Sequence, residues 1–240
     1  MKAVCVVGPS ESGKTLLIER LAGRLGDSGP VATVKHLDCA PDIDTSGTDT
    51  ERHRSAGAGE TYGITDEGGW FATGERRSVE RTLADLAPEY DYVLLEGFSE
   101  CDLPTIALGD REHAGETLVS APEADAVDGT EVIEAIETVD PYETLESLLS
   151  EVTASDAAKY AGAIATFTGR VRTKDHPEDV PTEYLEFERY DALARDAMET
   201  IRRELIAREG VYDVRLHHRT GIVEAGDDVV YVVVLAGHRE

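Results

Sequence analysis

The chain holds 240 residues, 41% of them hydrophobic, which suits one large domain or two modest ones and argues against a disordered chain. Acidic residues outnumber basic ones 49 to 23, and the formal charge of -26 is spread along the whole length. Such a surface argues against non-specific binding of nucleic acid or anionic membrane. It suits a protein adapted to high salt, where a Debye length of about 3 Å near 1 M screens the self-repulsion.

Val4–Val7 is an apolar run that predicts a first strand, with Cys5 in its core. A glycine-bearing loop follows, then Leu16, Leu17, Ile18, Leu21 and Leu25 at helical spacing, stopped by Gly26. Val31–Val34, after the turn signal Asp27-Ser28-Gly29-Pro30, predicts a second strand and Asp91–Leu95 a third. Thr105–Leu108 and Leu118–Ala121 are weaker strand candidates. Short apolar strands alternating with helices predict an α/β domain with a mostly parallel sheet and helices on both faces. Pro141–Val152 reads as its closing helix.

After Ser155 the pattern changes. Tyr160–Arg172 and Glu183–Tyr190 read as strands around a polar loop. Asp191–Glu209 reads as a helix with Leu193, Ala194, Ala197, Met198, Ile201 and Leu205 on one stripe. Tyr212–His218 and Val229–Leu235 read as strands flanking Gly221–Asp228. This order predicts a smaller α+β domain, with the boundary near Thr153, so that residues 1–153 and 154–240 form the two domains. The odd cysteine count, without CxxC spacing, argues against a disulfide framework and for a reducing cytoplasm. Cys39 and Cys101 lie among His36, Asp38, Asp42 and Asp102, a set that could hold a metal although no ligand spacing is recognisable. No stretch approaches the ~20 apolar residues of a membrane span, and the N-terminus has no signal-peptide pattern.

The chemistry concentrates in Gly8-Pro9-Ser10-Glu11-Ser12-Gly13-Lys14-Thr15, which fits GxxxxGK[ST] between a predicted strand and a predicted helix. Backbone N–H groups of such a loop, and the helix N-terminus behind it, cradle phosphates. Lys14 is placed to reach the β- and γ-phosphates and the Thr15 hydroxyl to ligate Mg²⁺. The alternative is a glycine-rich turn that matches by chance. Glu96, at the end of the buried strand Asp91–Leu95, is the candidate carboxylate for Mg²⁺ or an attacking water, or else a residue that caps the strand end. No local motif separates guanine from adenine.

Beyond the loop, Val34–His36 (VKH), Asp42–Ala58 (DIDTSGTDTERHRSAGA) and Leu94–Phe98 (LLEGF) follow in an order that resembles MobB, the P-loop protein of molybdopterin guanine dinucleotide biosynthesis. The resemblance covers roughly residues 1–150. It implies GTP and Mg²⁺ binding, slow hydrolysis, a homodimer and cooperation with the molybdenum cofactor nucleotidyltransferase. By motif position Gly8–Thr15 and Glu96 carry over, with Lys35, His36 and Asp44 as weaker carry-overs. His36 is equally readable as a hydrogen-bonded residue at a strand end.

In the second half, Gly162–Arg172 ends in Gly169-Arg170-Val171-Arg172, two guanidiniums suited to bidentate phosphate contacts or to pairing with acidic neighbours. This stretch, Leu185–Tyr190, His218–Gly221 and Gly237-His238-Arg239 together resemble MoaE, the large subunit of molybdopterin synthase, over about residues 156–240. That family is α+β and converts cyclic pyranopterin monophosphate into molybdopterin. Its sulfur comes from the C-terminal thiocarboxylate of a small ubiquitin-like carrier subunit. The resemblance implies that Arg170, Val171, Arg172, His238 and Arg239 contact substrate, with Arg172, His238 and Arg239 catalytic. The family also carries active-site lysines after the His-Arg motif. Here the only lysines of this half are Lys159 and Lys174, so either the sequence is a fragment or this half lacks a complete catalytic set. The leading expectation is a fusion of the two functions. Its rivals are a GTP-binding adaptor with a non-catalytic second half, a small-molecule P-loop kinase and a regulatory GTPase.

Overall fold

The computed structural model describes residues 1–39, 44–187 and 191–237. Two compact units divide the chain, one covering Lys2–Leu86 and Tyr90–Pro141, the other Tyr142–Glu240 with Met1 and Ala87–Glu89.

In the first unit, β1 (Lys2–Val7), β2 (Val31–Lys35), β5 (Tyr92–Glu96), β6 (Thr105–Leu108) and β7 (Thr117–Ala121) form one parallel sheet in the order β2-β5-β1-β6-β7. All five predicted strands are present. Central β1 buries Ala3 to Val7 on both faces, as an apolar run without alternation requires. On one face Val4, Val6, Leu94 and Ile106 pack with Leu17, Ile18, Leu21 and Leu25 of α1 (Lys14–Leu25) and Val132 and Ile136 of α4 (Gly129–Thr138). Leu16, counted in the apolar stripe of α1, is instead 48% exposed, because it faces away from the sheet. Burial pushes the Cys5 thiol up to about 12, with Cys101 adding to the shift.

Four elements of this unit escaped the sequence reading: α2 (Asp49–Ser55), β3 (Glu60–Ile64), β4 (Trp70–Gly74) and α3 (Val79–Leu86). Two of their signals were readable. Thr48 caps α2 by accepting from the Glu51 N–H, an S/T-x-x-E start. β3 and β4 form an antiparallel hairpin around Asp66-Glu67-Gly68-Gly69, with Gly68 at φ 84. Helix α4 was missed too, although Asp128 caps it at the Thr130 N–H.

In the second unit, β8 (Ala163–Arg170), β10 (Val211–His218) and β12 (Asp228–Ala236) form an antiparallel sheet in the order β10-β12-β8. A separate pair joins β9 (Tyr184–Phe187) to β11 (Gly221–Glu224), the latter within a stretch read as a connection. The predicted strand end at residues 188–190 lies outside the described residues. Helix α5 (Leu145–Ala154) corrects one expectation. It packs on this sheet, with Leu148 and Val152 against Val233 and Leu235, and does not close the first unit. Its start is fixed by a reciprocal cap between Thr144 and Ser147. Helix α6 (Asp191–Ile206) is present as predicted. It lies along β10, an edge strand, and that edge leaves Ile201 of its stripe 48% exposed. The side chains of Leu193 and Ala194 lie outside the described ones. Among the described residues no helix is long and apolar enough to cross a membrane.

Candidate functional site

The loop Gly8–Thr15 leaves the carboxyl end of β1 and runs into α1, so the N-terminus of a 12-residue helix points into its hollow. The glycines are required by space. A Cβ on Gly8 would lie 2.7 Å from Ser12 Oγ and 2.8 Å from the Leu108 carbonyl oxygen. Gly13 has φ 86, and a Cβ there would meet the Ala124 methyl at 2.7 Å. Glu11 is a non-glycine residue at φ 66, a local strain of the kind that clusters at ligand sites. Lys14 Nζ donates to the Gly8 and Pro9 carbonyls at 2.9 and 2.6 Å, which holds the ammonium across the mouth of its own loop. Ser12 Oγ is buried without a hydrogen-bond partner. Pro9 and Ser10 are exposed members of the loop.

On one side of the loop three groups converge. Thr15 Oγ1 donates to Glu96 Oε1 and Oε2 at 3.0 and 3.1 Å. Lys35 Nζ lies 2.9 Å from Glu96 Oε1 and 3.3 Å from Thr15 Oγ1. Glu96 is thus more than a strand-end cap: its carboxylate, 11% exposed at the side chain, faces the P-loop threonine. Hydroxyl and carboxylate oxygens are the donors Mg²⁺ prefers, and the ammonium of Lys35 marks a position where positive charge is stable. His36 donates its backbone N–H to the Glu96 carbonyl at 2.9 Å, and its ring stands edge-on to Phe98 at 5.6 Å. The backbone bond is the strand-end contact, and the ring itself is half exposed.

Asp44 belongs to the local fold. Its Oδ1 accepts from the Thr48 and Thr50 hydroxyls, and its Oδ2 pairs with Arg54 at 3.2 Å. Arg54 also donates to Thr73, which ties α2 to the β3–β4 hairpin. Among the described residues no three His, Cys, Asp or Glu side chains gather as a metal site, and Asp42 of the Cys39–Cys101 set lies outside them.

On the opposite side of the loop, the segment after β7 abuts the cradle. The Ala124 N–H donates to the Ser12 carbonyl at 3.0 Å. Arg20 of α1 donates to the Ala124 and Val127 carbonyls at 3.2 and 3.4 Å, and Arg24 to the Thr130 hydroxyl. Sequence reading had no signal for this contact, because it joins positions more than 100 residues apart.

In the second unit Arg170 and Arg172 are exposed at the end of β8 and just beyond it. Arg170 Nε pairs with Asp228 at 3.0 Å and its Nη2 donates to the Gly226 carbonyl, while Arg172 pairs with Asp175 at 3.0 Å. Arg219, on the far side of the same turn, pairs with Asp227 at 3.5 Å. Val171 does not present a side chain to a ligand. It is 2% exposed, and its N–H and carbonyl are bonded to Asp227 and Gly226. What it supplies is a fixed backbone between two guanidiniums. Lys159 lies over the Tyr160 ring, and Lys174 donates to the Pro177 carbonyl in the loop after Arg172. His238 and Arg239 lie outside the described residues.

Two family descriptions match this chain: molybdopterin guanine dinucleotide synthesis protein B over residues 3–128, and the MoaE protein over residues 139–240. A probable molybdopterin synthase of Haloferax volcanii is 44% identical over 234 residues, which cover 98% of this chain and 85% of that protein. A putative molybdopterin-guanine dinucleotide biosynthesis adapter protein of Methanocaldococcus jannaschii is 37% identical over 101 residues, 42% of each chain. A molybdopterin synthase catalytic subunit of Pyrococcus abyssi is 36% identical over 91 residues, 38% of this chain and 60% of that one.

Proposed function

This chain belongs to the MobB and MoaE families of molybdenum cofactor biosynthesis, joined in one polypeptide, and on that premise we propose two activities for it. The first unit binds GTP with Mg²⁺ and hydrolyses it slowly, in support of guanine dinucleotide cofactor formation. The second moves sulfur from a thiocarboxylated carrier protein to cyclic pyranopterin monophosphate, giving molybdopterin.

In the first unit, the loop amides and Lys14 take the polyphosphate, and Thr15 and Glu96 hold the magnesium ion. The ion supplies neutralisation of phosphate charge. Lys35 Nζ lies against the same Glu96 and Thr15 oxygens and marks the position that the ion would take. In the second unit, Arg170 and Arg172 bind the substrate phosphate, exchanging Asp228 and Asp175 for a more highly charged partner. His238 and Arg239 complete that site. Cationic donors there stabilise the negative charge that develops as the carrier's thiocarboxylate sulfur bonds to a precursor carbon and water then cleaves the acyl C–S bond, releasing the carrier as its carboxylate. The partners are the small sulfur carrier, the cofactor nucleotidyltransferase and a second copy of the chain. The acidic surface suits a salt-rich cytoplasm.

The observation that carries the reading is that relatives from two steps of one pathway align to successive parts of a single chain. Reconstitution tests it. Purified chain, pyranopterin precursor and charged carrier, in concentrated KCl, should give molybdopterin. Arg172→Ala should lower the yield by about tenfold or more, as expected for loss of a charge-assisted contact. No product from this chain or from one extended past Glu240 would refute the synthase half. Equal GTP uptake by the parent and Lys14→Ala would refute the nucleotide half.

A further inference from the structure

In open parallel sheets, ligands bind outside the carboxyl ends of the strands, where the strand order diverges. Here β1 sits between β5 on one side and β6 on the other, and the phosphate loop leaves its end. The β5–β2 side of that crevice is filled by Glu96, Lys35 and Thr15, groups that answer to a cation and terminal phosphates. A nucleoside attached to the inner phosphate must extend the other way, toward the ends of β6 and β7.

The segment after β7 is built for that position. Its Ala124 N–H bonds the Ser12 carbonyl, and its Ala124 methyl fills the space over Gly13. Two guanidinium contacts from Arg20 fix the carbonyls of Ala124 and Val127, which bracket Asp125. The backbone of Asp125 is therefore held against the phosphate loop and the first turns of α1, while its side chain is exposed and takes part in no hydrogen bond or ion pair among the described residues. Asp128 nearby is committed to capping α4, and its acceptance of the Thr130 and Glu131 N–H groups holds its carboxyl below the ordinary range. Leu16, exposed on the first turn of α1, offers an apolar contact beside the cradle.

We propose that the segment Pro122–Val127 is the nucleobase site and that the Asp125 carboxylate selects guanine over adenine. The chemistry follows from donor patterns. Guanine presents an N1–H and an exocyclic amine on one edge, which an acceptor-only carboxylate satisfies with two bonds. Adenine offers an acceptor at N1 to the same carboxylate and leaves it unpaired. Xanthine carries N1–H and a C2 carbonyl, which an asparagine amide matches with one acceptor and one donor. This inference rests on the nucleotide reading of the P-loop.

The test is equilibrium binding of GTP, ATP, XTP and inorganic tripolyphosphate to the full chain in molar KCl with Mg²⁺. The parent should hold GTP at least about tenfold tighter than ATP or XTP, the loss expected when one charged hydrogen bond is unmade. Asp125→Asn should lose about tenfold or more toward GTP, gain toward XTP and keep tripolyphosphate binding. Lys14→Ala should weaken all four. Equal binding of GTP and ATP by the parent overturns the base site while the phosphate site stands. So does an unchanged preference in Asp125→Asn, or a switch produced by Glu123→Gln instead. A parent that takes up neither nucleotide nor tripolyphosphate removes both readings.

Discussion

Replacing Lys35 with methionine asks whether Thr15 and Glu96 form a cation site. The substitution keeps the stem and removes an ammonium from 2.9 Å of Glu96 Oε1 and 3.3 Å of Thr15 Oγ1. The Glu96 side chain is 11% exposed, so it recovers little from water. A hydrogen bond to a charged group in that setting contributes about 1.5–3 kcal/mol. Lys35 is 52% exposed, which pulls the pair toward the roughly 0.2–1 kcal/mol of surface ion pairs. Between these limits, Lys35→Met should cost about 1 kcal/mol in the absence of magnesium. With Mg²⁺ and GTP bound, the metal takes over the ammonium's role, and the cost should fall to about 0.3 kcal/mol or less, near the resolution of such comparisons. Glu96→Gln removes the need for either cation, so the double variant should be less damaged than the sum of the singles by about 1 kcal/mol. Amide hydrogen exchange at Gly97, bonded to the Val6 carbonyl, and at His36, bonded to the Glu96 carbonyl, reports the local free energy. An equal loss with and without Mg²⁺ and GTP, or strict additivity, would refute the cation site.

Two further outcomes concern the second unit. Leu148→Ala removes a 3% exposed side chain packed against Val233 and Leu235, and should destabilise β12 by about 2–5 kcal/mol, read by exchange of its amides. Loss of protection confined to β1 and β5 instead would return α5 to the first half. Burial holds the Glu143 carboxyl above its ordinary range, partly offset by the Ser147 hydroxyl that donates to it at 2.6 Å. An acid whose folded pKa is raised is destabilising when ionised, so the penalty is absent below its unfolded pKa and complete above the folded one. Glu143→Gln should therefore be more stable than the parent at about pH 7, with the gap closing as the pH falls toward about 4. A gap that widens on acidification would contradict the half-buried placement.

Much of the first unit was legible because its information is local. Unbroken apolar runs marked β1 and β5 as doubly buried strands, and fixed spacing from Gly8 to Thr15 named the loop. The β3–β4 hairpin escaped although its glycine turn and the Thr48 cap were in the sequence. Its strands alternate in burial, but Tyr62, Ile64 and Trp70 lie on the exposed side and Thr61 on the buried one, so residue polarity does not mark the inner face. Arg170 and Arg172 were legible as residues, but their present partners were not, since Asp228 is 58 positions from Arg170 and reaches it only through the β8–β12 pairing.

Sequence alone determined the phosphate cradle, the apolar strands and the family to which each half belongs, because each depends on residue types at short, fixed spacing. Tertiary structure decided which sheet claims α5, since an amphipathic helix shows that it has a face to bury but not against what. It also decided that Lys35, 20 positions beyond Thr15, and Glu96, 81 positions beyond it, meet at one hydroxyl. Charges that attract only within a few ångströms find one another through strand order, and strand order is a property of the packed sheet.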